Sequence, residues 1–179
     1  MKSVSTYSAK LKEISGAFKA TAGLYCQAAD YCIGIMLEHW DGSFSTITNS
    51  TFVVRATELL CRLTAMRPLT EYDFGKLFYK FPNYLRRAAV NEAYSPVSSY
   101  HTRLRQWKTN PRGKEPGLPK AGRTFPVMYR KIMFKNTTNR YTVRIKIFIR
   151  TTWDRMEVKL RNLSINRSQA PFSWGFRQV

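Results

Sequence analysis

The segment from Arg140 to Arg150 alternates apolar and cationic residues, and this pattern constrains the fold more than any other part of the chain. Successive side chains of a β-strand point to opposite faces of a sheet. In an extended conformation, one face of this segment carries the apolar residues Val143, Ile145, Ile147 and Ile149. The opposite face carries Arg144, Lys146, Phe148 and Arg150. The pattern predicts a strand with one face against a core and one basic face in solvent.

The neighbouring segments predict further antiparallel strands. After a turn near Thr151 and Thr152, the apolar residues Met156, Val158 and Leu160 alternate with Glu157, Lys159 and Arg161. Val127 to Lys135 is predicted to form a strand that precedes these two, and the polar run at 136–139 is predicted to form a turn. Together they predict a β region over residues 125–163, followed by an irregular tail at 164–179.

The N-terminal half predicts helices. Residues 1–10 alternate weakly and are compatible with a first strand. Apolar residues then recur at steps of three and four from Ile14 to Trp40, which predicts a helix of about 25 residues that Asp41-Gly42 ends. A second helix is predicted to begin at Asn49 or Ser50. The side chains expected to face inward on this helix are Phe52, Ala56, Leu59, Leu60 and Leu63.

Two further segments complete a helical region over residues 11–107. A short one is predicted to run through Leu77 and Phe78, and the pair Thr70 and Asp73 suggests its cap. A long one from 83 to 107 opens after Pro82 and is expected to be kinked or divided by Pro96. Residues 108–124 combine Gly, Pro and cations and are predicted to form a loop. The order of elements predicts an α+β fold.

Charge is distributed unevenly along the chain. Residues 1–79 contain eight Lys or Arg and seven Asp or Glu, a net charge of 8 − 7 = +1. Residues 80–179 contain 22 basic and four acidic residues, a net charge of 22 − 4 = +18. Such asymmetry indicates a nucleic acid or an anionic membrane surface, with a merely well-solvated basic surface as the alternative. No apolar run reaches the roughly 20 residues of a membrane span, so we expect nucleic acid and no membrane partner.

The basic residues form three candidate contact sets. The strand face described above, extended by Lys159 and Arg161, combines cations for phosphates with an aromatic ring for base stacking. On the fourth helix, a broad side suited to a groove or a backbone carries Arg86, Arg87 and Asn91. The loop adds Lys108, Arg112, Lys114, Lys120 and Arg123 as phosphate contacts. A simpler alternative exists for each set. The cations would then only be solvated, and the Phe148 ring would be covered by another element.

The sequence does not predict catalysis, a bound metal or a cofactor. The acidic residues of the basic half are scattered over a helix, a loop and a strand, whereas divalent-metal catalysis requires clustered carboxylates. The cysteines Cys26, Cys32 and Cys61 lack the spacing of a zinc site. Their odd number and the absence of a signal-peptide pattern indicate a reducing cytoplasm, and we expect buried thiols.

Several strings of the basic half resemble a known family. These are YLRRAAVNEAYSPVSSYHTRLRQW at 84–107, PGLPKAG, FPVMYRKIMF and YTVRIKIFIRTTWDRMEVKLRNL, in this order. Over residues 10–163 the chain resembles the N-terminal part of the TnpB/OrfB-type proteins of insertion-sequence transposons. The resemblance implies an RNA-guided DNA endonuclease family related to the type V CRISPR effectors. It also implies a wedge β-barrel of the oligonucleotide-binding type, interrupted by a helical recognition insert.

The resemblance suggests roles for the candidate residues. Arg86, Arg87 and Asn91 would contact DNA beside the target or the start of the RNA–DNA hybrid. Guide-type RNA would be held by Lys120, Arg123, Arg144, Lys146, Phe148, Arg150, Lys159 and Arg161. The chain would act in the bacterial cytoplasm and be associated with the nucleoid when bound.

The sequence departs from that family in one large respect. Members of the family continue into a RuvC-like nuclease domain with three metal-binding carboxylates, and the matching strings include none of it. We therefore expect a truncated protein that binds RNA and DNA without cutting them. Two alternatives stay open, namely one part of a split endonuclease completed by a separately encoded nuclease half, and an unrelated structural RNA-binding protein.

Overall fold

The computed structural model describes residues 15–44, 50–66, 68, 70–122, 132–139 and 141–160. These residues form four α-helices followed by a three-stranded antiparallel sheet, and the predicted α+β class is confirmed. The strand predicted at 1–10 and the tail at 164–179 lie outside the described residues.

The chain divides into two compact units. Unit 1 consists of residues 1–22 and 125–179, and unit 2 consists of residues 23–124. Unit 1 is therefore assembled from two separated stretches of sequence, whereas unit 2 is one continuous stretch. Helix α1 (Gly16–His39) contributes its first residues to unit 1 and the remainder to unit 2.

Unit 2 is built around the remainder of α1, α2 (Ser50–Cys61), α3 (Phe74–Leu77) and α4 (Asn83–Thr109). Helix α1 ends close to the predicted position, and a π-helical turn follows at Trp40–Phe44. The Tyr25 hydroxyl of α1 donates a 2.7 Å hydrogen bond to Glu92 Oε2 of α4, and α2 packs against α4. Burial and this carboxylate together raise the pKa of Tyr25, so the phenol stays a donor.

The inward face predicted for α2 is wrong. Its buried residues are Val53, Thr57 and Cys61, while Phe52 and Leu59 are 57% and 47% exposed. The Thr57 hydroxyl donates a 2.9 Å hydrogen bond to the Val53 carbonyl, so a polar side chain can be buried with its donor satisfied. The sequence prediction placed Phe52 and Leu59 inward and omitted all three residues that are buried.

The two later helices follow their predicted bounds closely. Asp73 caps α3 by accepting a 2.9 Å hydrogen bond from the Lys76 backbone N–H, whereas the Thr70 hydroxyl instead donates to the Tyr72 carbonyl. Pro96 lies inside α4 without dividing it. Aromatic contacts hold α3 against α1. The ring of Tyr31 on α1 contacts the rings of Tyr72, Phe74 and Phe78.

Unit 1 contains the sheet, in the order β1 (Phe134–Asn136), β2 (Thr142–Ile149) and β3 (Thr152–Lys159). Strand β1 begins later than predicted, since residues 132 and 133 form a turn and 127–131 lie outside the described residues. The apolar face predicted from the alternation is confirmed. Its buried residues are Phe134, Val143, Ile145, Ile147, Val158 and Leu160.

Strands β2 and β3 are joined by the two-residue turn Arg150–Thr151. Ile149 pairs with Thr152, and the register continues to the pair of Thr142 with Lys159. Arg150 has a φ of 55°, in the left-handed region that favours glycine or asparagine. The predicted turn near Thr151 and Thr152 is thus shifted by one residue, and Arg150 belongs to the turn, not to the strand face.

The start of α1 is tied to the sheet by Thr21. Backbone N–H groups at 144, 146 and 148 point to the β1 side of β2, because N–H groups alternate in direction along an antiparallel strand and that of Lys146 donates to Met133. Lys146 donates to the Met133 carbonyl, and the next such N–H, that of Phe148, donates a 2.8 Å hydrogen bond to Thr21 Oγ1. The Thr21 hydroxyl in turn donates to the Ala17 carbonyl at 2.8 Å, and Thr21 is fully buried. One hydroxyl therefore continues the hydrogen bonding of β2 where the described part of β1 does not reach.

We expect Thr21→Val to lower the free energy of unfolding by about 1–3 kcal/mol, because it leaves the buried Phe148 N–H without its acceptor while keeping the side-chain volume. Denaturant titration followed by circular dichroism measures the change. Thr21→Ser keeps the hydroxyl and serves as the control, with a smaller loss expected. Equal losses in the two variants would show that packing of the threonine methyl group, and not the hydrogen bond, is what matters.

Candidate nucleic-acid interface

The strand register gathers cations on one face of the sheet, here named the basic sheet face. Residues directly opposite one another on paired strands lie on the same face. Lys135 pairs with Arg144, Lys146 pairs with Arg155, and Lys159 pairs with Thr142. The basic sheet face therefore holds five cations, Lys135, Arg144, Lys146, Arg155 and Lys159. Glu157, opposite Arg144, is the carboxylate that the described strands place among them.

Arg144 and Glu157 form an ion pair across β2 and β3. The Arg144 Nε lies 3.3 Å from Glu157 Oε2, and the two side chains are 59% and 50% exposed. An ion pair this open to solvent contributes little to stability. Its main effect is on the charge of the face, because it neutralises one of the five cations.

Lys146 and Arg155 face each other without a carboxylate. Like charges directly opposite one another across a strand pair repel. The Arg155 side chain extends toward β1, where Nη2 lies 3.4 Å from the Ile132 carbonyl oxygen. Within the described residues, Lys146 forms no ion pair. A bound anion would relieve the repulsion between these two side chains, as phosphate does between clustered cations.

An aromatic pair lies at the turn end of the same face. Phe148 is opposite Trp153, and their ring centroids are 5.6 Å apart in an edge-to-face arrangement. Trp153 is buried and Phe148 is half-buried. The Phe148 ring is therefore partly used in packing, and only its remaining exposed surface is available to a base.

The sequence prediction of the basic sheet face omitted two of its residues and included one that lies elsewhere. It missed Lys135 and Arg155, and it included Arg150, which lies in the turn. Arg123 and Arg161 lie outside the described residues. Arg155 stands two residues before Glu157, so the alternation of β3 already placed it on this face. The turn at 150–151 determines only that Lys146 lies opposite it.

The helix residues predicted to contact DNA are separated by the structure. Arg87 and Asn91 line a cleft of about 460 Å³ between α2 and α4, together with Arg55, Arg62 and Glu58. The Arg87 Nε is 3.6 Å from Glu58 Oε1, and the Asn91 amide donates a 2.8 Å hydrogen bond to the Arg87 carbonyl. This α2–α4 cleft therefore collects three arginines and one glutamate.

Arg86 does not line the α2–α4 cleft. Its side chain is half-buried, and its Nε is buried without a hydrogen-bond partner among the described residues. Burial, followed by the charge of Arg62, lowers the pKa of Arg86, although a guanidinium stays protonated at neutral pH. The surface that the sequence assigned to three residues is thus formed by Arg87 and Asn91.

The described residues contain no group of three His, Cys, Asp or Glu side chains arranged to hold a metal ion. Cys32 and Cys61 are buried, as expected, and Cys26 is partly exposed. Burial raises the pKa of Cys32 and raises that of Cys61 to about 11, so both remain thiols at neutral pH. These two cysteines contribute packing and no nucleophile.

Comparison with protein families gives one match, in which the sequence model of the Aq_aa04 family covers residues 5–149. This span is most of the chain and includes α1 to α4 and all of β2.

The chain belongs to the Aq_aa04 family.

Comparison with curated proteins and with solved structures found no match. The Aq_aa04 match does not test the TnpB resemblance, which stays a prediction. Among the helices that the structure describes in this Aq_aa04 member, none is long and apolar enough to cross a membrane.

We expect Glu157→Gln to strengthen binding of a labelled single-stranded oligonucleotide roughly twofold to fivefold at low salt, because it releases Arg144 and adds one positive charge to the basic sheet face. Fluorescence anisotropy measures the affinity. The variant should cost less than about 1 kcal/mol of stability, since the ion pair is exposed.

Asp154→Asn is the matched control. Asp154 precedes Arg155 on β3 and pairs with Ile147, so it lies on the opposite face of the sheet. Like Glu157→Gln, Asp154→Asn removes one negative charge from β3. An equal gain in affinity for both variants would mean that net charge, and not the basic sheet face, governs binding.

Proposed function

We propose that this Aq_aa04-family protein binds nucleic acid through its basic sheet face, and that RNA is the main ligand. The observation that carries the proposal is the register of the hairpin, which brings Arg144, Lys146 and Arg155 together on one side of two strands. A folded protein accepts such repulsion at a cost, and a polyanion relieves it.

The form of the surface favours single-stranded or looped nucleic acid. A sheet face is suited to strands whose bases are unpaired, because cations contact the phosphates while aromatic rings lie beside the bases. The Phe148 and Trp153 pair adjoins the cations at the turn end of the hairpin. Recognition by a helix in the major groove of duplex DNA uses a different arrangement.

The resemblance to TnpB/OrfB-type proteins refines the proposal. In that family a helical recognition segment is inserted into a wedge barrel, and in this chain unit 2 is inserted between the two stretches of unit 1. This agreement supports guide-type RNA as the ligand of the basic sheet face. On the same analogy, DNA beside the target would lie against Arg87 and Asn91, and a separately encoded nuclease half would be a partner in the bacterial cytoplasm.

We expect the triple variant Arg144→Gln, Lys146→Gln and Arg155→Gln to bind a single-stranded RNA about tenfold to a hundredfold more weakly, since up to three phosphate contacts are lost. The slope of log affinity against log salt should become smaller by about 2, at roughly 0.7 per phosphate for single strands. Both quantities come from anisotropy titrations at several salt concentrations.

A second triple variant provides the control. Lys19→Gln, Lys76→Gln and Lys80→Gln remove three exposed cations that belong to none of the sheet strands. The expected change is less than threefold, because only long-range attraction is reduced. If the two triple variants lose affinity equally, or if the unmodified protein shows no salt-dependent binding, the proposal fails.

We further propose that the chain acts by binding alone, since its acidic residues include no described cluster able to hold a metal ion. Incubation of the purified protein with magnesium and end-labelled single-stranded RNA, single-stranded DNA and duplex DNA should leave each substrate intact. Metal-dependent cleavage that persists through further purification and is lost on removal of the metal would contradict the binding role.

A further inference from the structure

The net positive charge of unit 2 lies at one end of its sequence. Residues 23–92 contain seven basic and seven acidic residues, a net charge of 7 − 7 = 0. Residues 93–122 contain six basic residues and one acidic residue, a net charge of 6 − 1 = +5. These are the second half of α4 and the loop that follows it. Unit 2 therefore concentrates its charge on one helix end and one loop, apart from the basic sheet face.

The loop returns along α4 and forms an open cleft with it, here named the helix–loop cleft. The cleft has a volume of about 520 Å³. It is lined by Ser95, Pro96, Ser99 and Arg103 from α4 and by Pro119 and Lys120 from the loop. None of these lining residues is acidic, whereas the α2–α4 cleft contains Glu58. An anion entering the helix–loop cleft thus meets two cations and two hydroxyl groups without a carboxylate on the wall.

The loop is held in place by hydrogen bonds that do not use its cations. The Ala121 backbone N–H donates a 2.6 Å hydrogen bond to Asp30 Oδ1, and the Cys26 thiol lies 3.1 Å from the Gly122 carbonyl oxygen. Nearer the end of α4, the Trp107 indole N–H donates to the Gly113 carbonyl at 3.3 Å. These contacts hold the loop against α1 after Lys120 and against the end of α4 before it. Within the described residues, Lys120 forms no ion pair.

The α4 residues that line the cleft lie along one side of the helix. Ser95, Ser99 and Arg103 are four residues apart, so they follow one another on neighbouring turns of α4, and all three are exposed. The Arg103 Nε donates a long 3.4 Å hydrogen bond to the Ser99 carbonyl, which directs the guanidinium along the helix toward the serines. Serine hydroxyls and a guanidinium are donors that bind phosphate oxygens.

We propose that the helix–loop cleft is a phosphate-binding site that holds the backbone of a nucleic acid on unit 2, independently of the basic sheet face. Arg103 and Lys120 supply the charge, and Ser95 and Ser99 supply neutral donors. The inference rests on the proposed function, to which it adds a second contact point. A lining with two cations, two hydroxyl groups and no carboxylate suits a phosphodiester better than an apolar small molecule, which requires a largely hydrophobic pocket.

The test compares two double variants of the full chain. Arg103→Gln with Lys120→Gln removes the cations of the cleft. Arg105→Gln with Lys76→Gln removes one cation from α4 and one from α3, and neither residue lines the cleft. The change in net charge is therefore matched. The probe is a 20-nucleotide single-stranded RNA followed by anisotropy at several salt concentrations, and the triple variant of the basic sheet face is measured beside them.

We expect the cleft variant to bind about fivefold to tenfold more weakly, with a salt slope smaller by roughly 0.7 to 1.4 for one or two lost phosphate contacts. The control pair should lose less than about twofold, because it affects only long-range attraction. Equal effects of the two double variants overturn the cleft while leaving the basic sheet face intact. Absence of salt-dependent binding by the unmodified protein overturns the proposed function itself.

A second measurement identifies the source of the phosphate. Backbone amide shifts of Ser99, Arg103 and Lys120 are followed by NMR during titration with the RNA and with inorganic phosphate. Shifts that saturate with the RNA at micromolar concentration, and with inorganic phosphate only at millimolar concentration, support a nucleic-acid backbone site. Shifts with inorganic phosphate that the RNA neither reproduces nor displaces overturn it in favour of a free-phosphate site.

Discussion

The register of β2 against β3 is the constraint on which the basic sheet face depends. Strand side chains alternate with a period of two, so a slip of one residue would turn Val143, Ile145 and Ile147 to the solvent and move the cations into the core. The two-residue turn Arg150–Thr151 sets the register, although Arg150 takes up a left-handed backbone conformation there. Burial of the apolar face opposes any slip. The same packing that stabilises unit 1 thus holds Lys146 and Arg155 side by side.

The two proposed contact surfaces arise in different ways. On the basic sheet face, cations are brought together by strand pairing, and Glu157 moderates their repulsion at one position only. In the helix–loop cleft, Arg103 and Lys120 line the same wall, while backbone and thiol contacts hold the end of the loop on α1. The basic sheet face depends on the alternation of side chains along neighbouring strands. The helix–loop cleft depends on the tertiary structure, in which the loop returns beside α4. A nucleic acid that uses both would be bound by each unit of the protein.

The regular patterns were predictable from the sequence, and the exceptions have physical causes. The long apolar stripe of α1 and the alternation in β2 specify their elements directly. The buried side of α2 was missed because a threonine that bonds its own helix backbone can replace a larger apolar residue. The alternation of β3 was sufficient to find Arg155, two residues before Glu157, although its partner Lys146 depends on the turn position. The burial of Arg86 could not be predicted, because it depends on how α2 packs beside α4. The helix–loop cleft has no local signal, since it is formed by residues from two separate segments.

The hydrogen bond between Thr21 and Phe148 joins residues that are 127 positions apart in the chain. During synthesis all of unit 2, a continuous segment, is translated before β2. The start of α1 must therefore wait for its partner strand, while the helices of unit 2 can already pack against one another. Closing the loop between Thr21 and Phe148 costs conformational entropy. Prior folding of the intervening residues shortens the flexible part of that loop and so reduces the cost. We infer an order of folding in which the helical unit forms first and the sheet is completed last.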